Sequence, residues 1–216
     1  MATPSSGAIS LDQMNVEAGG SSGSTVSIND AQIRFLDSKS ANATSSFDDF
    51  YGIEAAGGIM SVGGTVVGTQ TTSNYVTTFT TTANRGFIDS TSSSIGSITN
   101  DTFSNFLGGN EINVFRNFTR RSTTSGSSTI TGPNLNLYAT YGTGTVAPNT
   151  NASFTKMLIN ETSFDRSAAT YSNNVFSQQA QWSWSLTHTI VTSTSNADPP
   201  FPAVTDPETT VPYVFI

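Results

Sequence analysis

The chain has 216 residues, enough for one domain, or for a small module plus a domain of about 150 residues. Charged residues make up only 11% and apolar ones 35%. Ser and Thr fill the gap beside 14 Phe, 6 Tyr and 2 Trp, a β-rich, polar-faced, loop-heavy composition with too little charge for a charged disordered tail. A net charge of −7 with eight basic residues disfavours a nucleic-acid partner, and the absence of cysteine removes any disulfide framework.

The opening "MATPSSGAIS" lacks the basic and apolar regions of a signal peptide, and no run approaches the roughly 20 apolar residues of a membrane helix, so neither secretion by a leader nor membrane insertion is expected. From residue 8 one pattern is written three times: Ser, an apolar residue, then Asp or Asn. Ser10 is followed three residues later by Gln13, Ser27 by Asp30, and Ser46 by Asp49. That spacing resembles a capping box, in which the Ser oxygen accepts the amide of the third helical residue and the later side chain reaches back to the Ser amide. Asp12, Asn29 and Asp48 fall in the first turn, where polar or negative groups suit the helix dipole. The second copy predicts a helix over 27–37 with Ile28, Ala31 and Phe35 on one face and Ile33 and Leu36 toward its edge. The first and third predict a single turn each.

Such short helices are unstable alone, and "EAGGSSGST" and "SKSANATS" between them read as flexible connectors. A module of about 50 residues with so little apolar surface must lean on the downstream domain, on a copy of itself or on another protein. It reads as a docking segment over 1–52, or else as a lid on a body over 53–216.

Three stretches of this region, "ISLDQMNVEAG" (9–19), "VSINDAQIRFLD" (26–37) and "SSFDDFYG" (45–52), carry a resemblance. In order and separation they resemble a segment common in virion structural proteins of tailed bacteriophages, tail and tail-fibre proteins especially, whose pattern is "ISLxDxNVELG", "ISLNDAxVRxLAG" and "ISMSDFYG". Ala18 stands where Leu is usual, and "DSKSANAT" where a Gly-containing link is usual. The resemblance implies a structural virion protein, tail-associated through fibre, baseplate or neck. It implies other virion proteins as partners, several symmetry-related copies, and synthesis in a host bacterial cytoplasm. The docking residues it implies are Ser10, Asp12, Gln13, Ser27, Asn29, Asp30, Arg34, Ser46, Asp48, Asp49, Phe50, Tyr51 and Gly52. The alternative within the virion is a capsid decoration protein or a carbohydrate-binding receptor module for a host surface glycan.

From residue 53 short strands alternate with turns. "GIMSVGGTVVGT" reads as a strand broken at Gly63 and Gly64, and "NYVTTFTTT" as a half-exposed strand. "RGFID" and "SSIGSITNDTF" come next. In "NEINVFRNFT", Ile112, Val114 and Arg116 are expected on one face and Phe115 on the other. "NLNLYATY" places Leu135, Leu137 and Ala139 together. "ASFTKMLINETSF" supplies Phe154, Met157 and Ile159 before a turn at Asn160. "AQWSWSL" aligns Trp182, Trp184 and Leu186, and "TTVPYVFI" closes the chain, Pro212 favouring an edge. Eight or more short strands with little helix predict a mainly β fold, an antiparallel β-sandwich body preceded by capped helical turns. The body also resembles, more loosely, the region downstream of the repeats in such phage proteins, through "GFIDSTSSSIGSITNDTF…GGNEI" and a late "WSW" with "PPFPAV" after it.

Catalytic signals are thin. His188 lies in the strand-like "LTHTIV", and no Gly-x-Ser-x-Gly turn accompanies it. Metal sites of Cys and His are excluded, "FDDFYG" lacks a calcium-loop pattern, and no glycine run ends in Lys-Ser/Thr to hold phosphate. Spacing alone nominates no carboxylate pair for a tail depolymerase among 15 acids. Arg116, Arg120 and Arg121 are the nearest thing to a basic patch and read as an ordinary loop. Trp182 and Trp184, two apart in a strand, form either the sandwich core or a sugar-stacking platform. The expectation is a protein without cofactor or metal and without enzymatic turnover.

Overall fold

The computed structural model describes residues 3–37, 43–53, 55–90, 94–99, 107, 111–140, 152–160, 162–187, 199–202 and 209–216. Among them the strands are β1 (Ala56–Ser73), β2 (Val76–Ile88), β3 (Ser97–Thr99), β4 (Glu111–Thr124), β5 (Ser127–Thr140), β6 (Lys156–Ile159), β7 (Thr162–Asp165), β8 (Thr170–Asn174), β9 (Gln179–Ser185) and β10 (Thr209–Phe215). They form one antiparallel sheet in the order β7-β6-β10-β1-β2-β4-β5-β9-β8, with β3 also beside β1. The fold is mainly β, as composition and turn spacing predicted.

β1 explains how one sheet makes a sandwich. Residues 56–62 pair with β10, and residues 63–73 with β2. The "GG" at 63–64 is therefore no break; it is the point where one continuous strand passes from one layer to the other. A Cβ on Gly63 would stand 2.4 Å from the Gly96 amide nitrogen, so the crossing needs a residue with no side chain. At the other end of the sheet, a 3-10 turn (Arg166–Ala168) carries the chain from β7 to β8, and Trp184 Nε1–H donates to the Asp165 carbonyl (2.7 Å).

Between the layers lies an aromatic core. Phe115 meets Tyr213 edge-on at 5.8 Å, and Phe154 meets Trp182 at 5.6 Å and Phe215 at 5.3 Å. Edge-to-face pairs of this kind add about 0.5–1.5 kcal/mol each beyond their burial. Leu135, Leu137, Ala139, Met157 and Ile159 fill the remaining volume, as alternation predicted.

Three expectations need correction. Ile112 and Val114 do not share a face: the register of β4 on β5 shifts between them, so Asn113 is an extra residue of a β-bulge. Ile112 enters the main core, while Val114 packs with Ile88 and Ile95 on the opposite side. Pro212 is not in an edge strand, since β10 lies between β1 and β6. The proline is tolerated because the β6 ladder stops at Tyr213–Ile159, and only the Pro212 carbonyl is used there, accepting from Asn160 N–H (3.1 Å). Arg116, Arg120 and Arg121 are residues of β4, not of a loop. Arg116 lies over the Phe118 and Tyr138 rings (5.2 and 5.7 Å) and donates to Asn84 Oδ1 (2.8 Å), while Arg120 and Arg121 are exposed.

Ahead of the sheet come α1 (Leu11–Glu17), α2 (Ala31–Leu36) and a 3-10 turn (Phe47–Phe50). The first helix is longer than expected and the second shorter. In the second copy residues 28–30 form a turn, so the helix begins at Ala31 and its buried face rotates onto Ile33, Phe35 and Leu36.

Candidate functional site

The three Ser-led motifs of the N-terminal segment fold as three turns. In the first, Gln13 N–H donates to Ser10 Oγ (3.2 Å) and Ser10 N–H to Gln13 Oε1 (2.8 Å), a complete capping box. In the second, Ser27 N–H donates to Asp30 Oδ2 (2.8 Å), but Ser27 Oγ accepts from Asn29 N–H (3.2 Å), one residue earlier than a capping box requires. The third is again a capping box, as spacing predicted: Ser46 N–H donates to Asp49 Oδ2 (2.7 Å), Ser46 Oγ caps the Asp49 amide, and Asp48 N–H also donates to Ser46 Oγ (3.4 Å). These are local bonds between near neighbours, and therefore legible from spacing.

Asp12 does more than face the helix dipole. Its carboxylate accepts from Ser22 Oγ–H (2.8 Å) and Gly23 N–H (2.7 Å), which hold its charged form and set its pKa below the usual 3.8. The connector after α1, expected to be flexible, is tied back at these two residues. Arg34 sits half-buried in the last turn of α2. Tyr51 Oη–H donates to the Gly7 carbonyl, and Gly52 N–H to the Pro4 carbonyl (3.0 Å), so "FYG" fastens the start of the chain.

Beneath the polar tips runs one apolar layer. Met14, Ala18, Ile33, Phe35, Leu36 and Phe50 cluster with Leu158 of β6 and Val214 of β10. These two strand residues alternate with Met157, Ile159, Tyr213 and Phe215 of the main core, so they stand on the opposite face of the sheet. The N-terminal segment thus packs on the outer face of its own body. Its outward side keeps Ser10, Gln13, Ser27, Asn29, Ser46, Asp48, Asp49 and Gly52 exposed, together with Val16 and Phe47.

Several residues that join the segment to the body carried no signal in the sequence. Ala55 N–H donates to the buried Glu17 Oε1 (2.8 Å). Thr3 pairs with Ile53 through both backbone and hydroxyl: Thr3 N–H donates to the Ile53 carbonyl and Ile53 N–H to Thr3 Oγ1, each at 2.9 Å. Within the segment, the buried Asn15 braces the connector after α1, its Nδ2–H donating to the Ser21 carbonyl (2.8 Å). A Cβ on Gly19 would lie 2.2 Å from the Gly57 carbonyl carbon, so two glycines let the segment's backbone touch β1.

Trp182 and Trp184 are 1% and 4% exposed. The rings of Phe154 and Tyr171 flank the first and Phe164 the second. No face is left for a sugar, and the stacking platform gives way to the core reading. The late "PPFP" also turns inward: Asn117 Nδ2, Asn160 Nδ2 and Arg85 Nη1 donate to the carbonyls of Pro199, Pro200 and Pro202, each at 3.2 Å, around a buried Phe201. His188 lies outside the described residues. Among the described residues no three of His, Cys, Asp or Glu group to hold a metal ion, and no helix is long and apolar enough to cross a membrane.

These features define an all-β sandwich protein that carries a folded-back N-terminal segment of short capped turns. Compared with known proteins, the chain matches no family model, no curated protein and no solved structure.

Proposed function

We propose that this chain is a non-enzymatic structural protein of a tailed-bacteriophage particle. It is a tail-associated component of fibre, baseplate or neck, made in the host cytoplasm and present in several symmetry-related copies. Its N-terminal segment attaches it to a neighbouring particle protein. One observation carries the reading: the three motifs that resemble the phage segment form three consecutive turns with polar tips exposed and apolar roots seated on β6 and β10. A rigid mount with an exposed polar rim suits attachment.

The test is incorporation. Val16 and Phe47 are exposed apolar residues of this surface, and the pair Val16→Asp with Phe47→Asp should leave the thermal transition of the purified protein unchanged while removing it from purified particles. Full incorporation of that variant would overturn the attachment surface. Copy number per particle then separates the positions, a few to a few dozen for tail or neck and hundreds for capsid decoration. His188→Ala should keep infectivity, and no reducing ends should be released from host polysaccharide. Release would overturn the non-enzymatic reading.

A further inference from the structure

The two long hairpins, β1–β2 and β4–β5, reach beyond the sandwich as a four-stranded plate. Row by row, Gly68, Thr81, Arg121 and Ile130 pair across it, then Gln70, Phe79, Thr123 and Ser128. Residues on both of its faces are largely exposed, Phe79 to 55% and Val67 to 52%. β1 is the outer strand on one side. Among the described residues β10 pairs with it as far as Val62, and nothing pairs with the outer edge beyond.

We propose that residues 66–73 of β1 pair antiparallel with the same residues of a second copy of this chain, across a two-fold axis. Alternate N–H and C=O groups point outward along this edge for about 26 Å, at roughly 3.3 Å per residue. Natural sheets blunt such edges with charge, proline, bulges or shortness. The other edges here carry those devices. β5 has residues 127–131 free among the described residues, but Gly132 and Pro133 end that run, opposite a register shift between Phe118 and Arg120. β7 spans four residues and ends in Asp165, and β8 spans five. Residues 66–73, Val-Val-Gly-Thr-Gln-Thr-Thr-Ser, hold no charge and no proline.

A second copy fits this edge better than an unrelated strand does. Two-fold pairing of a strand with itself is antiparallel, like every pairing in this sheet, and matches in length by symmetry. Val66 and Val67 point to opposite faces, so cross-strand neighbours would cover one valine on each side. The exposed cations of the plate, Arg120 and Arg121, lie on β4. They would stand five strand spacings from their counterparts, about 24 Å, beyond the ~8 Å over which salt leaves repulsion unscreened. The pairing does not rest on the attachment reading, since copies associate in solution whatever particle they join.

Sedimentation velocity of the full chain across a range of micromolar concentrations tests the proposal. The expected species has twice the chain mass. Val67→Lys with Thr69→Lys should weaken association at least tenfold with the thermal transition retained, whereas Thr129→Lys on β5 should change nothing. In the unmodified protein, amide protection of 66–73 should rise with concentration, a readout independent of any variant. A single-chain mass at every concentration would overturn the pairing. So would a dimer indifferent to the two lysines, or one lost through Thr129→Lys.

Discussion

At the start of α1, Ser10 Oγ and Gln13 Oε1 accept from amides that no helical carbonyl can reach. Replacing Ser10 by Ala should cost about 0.5–2 kcal/mol of local helix stability, read as faster amide exchange over 11–17 with the β-body unchanged. Asp12 supplies a pH dependence. Its pKa is lowered first by the Gly23 amide and then by the Ser22 hydroxyl. A depressed carboxylate pKa gives stabilisation that is present above the unfolded value and lost as pH falls through the folded one. The Gly23 amide resonance should therefore titrate with a midpoint below 3.8, and Asp12→Asn should abolish that titration.

Among elements, the join between the end of α1 and the start of β1 is the most demanding. Gly19 has φ +87°, and its Cβ would collide with the Gly57 backbone at 2.2 Å; at Gly57 a Cβ would stand 2.4 Å from the Ala18 carbonyl oxygen. Gly19→Ala should destabilise by more than about 1 kcal/mol, because both the conformation and the space are incompatible with a side chain. Limited proteolysis should then cut the N-terminal segment first. Gly23→Ala also meets a positive φ, but with open space around it, and should be the milder change.

For the whole molecule the question is how far the body stands alone. The main aromatic core lies wholly within 53–216, so that fragment should keep a cooperative thermal transition. It should melt lower, because removing the first 52 residues uncovers Leu158 and Val214, which the segment buries. Two such side chains are worth about 1.5–3 kcal/mol each when buried, and for a domain of this size that lowers Tm by on the order of 10 °C. A fragment with no cooperative transition would show instead that the N-terminal layer is required for folding.

What the sequence determined by itself was local or periodic. The Ser-led turns were legible because a cap joins residues two or three apart, and the strand faces of Leu135, Leu137 and Ala139 or Trp182 and Trp184 because pleating alternates side chains. Tertiary structure decided the rest. The Asn113 bulge exchanged the faces of Ile112 and Val114, since an extra residue breaks the period on which the reading relied. Position in the sheet made β10 an inner strand despite Pro212, because β6 ends where the missing amide would be needed. The contacts that seat the N-terminal turns, Glu17 to Ala55, Thr3 to Ile53 and Gly19 against Gly57, join residues about 40 to 50 apart. No spacing rule reaches that far, so only the folded chain could show that the segment rests on its own body.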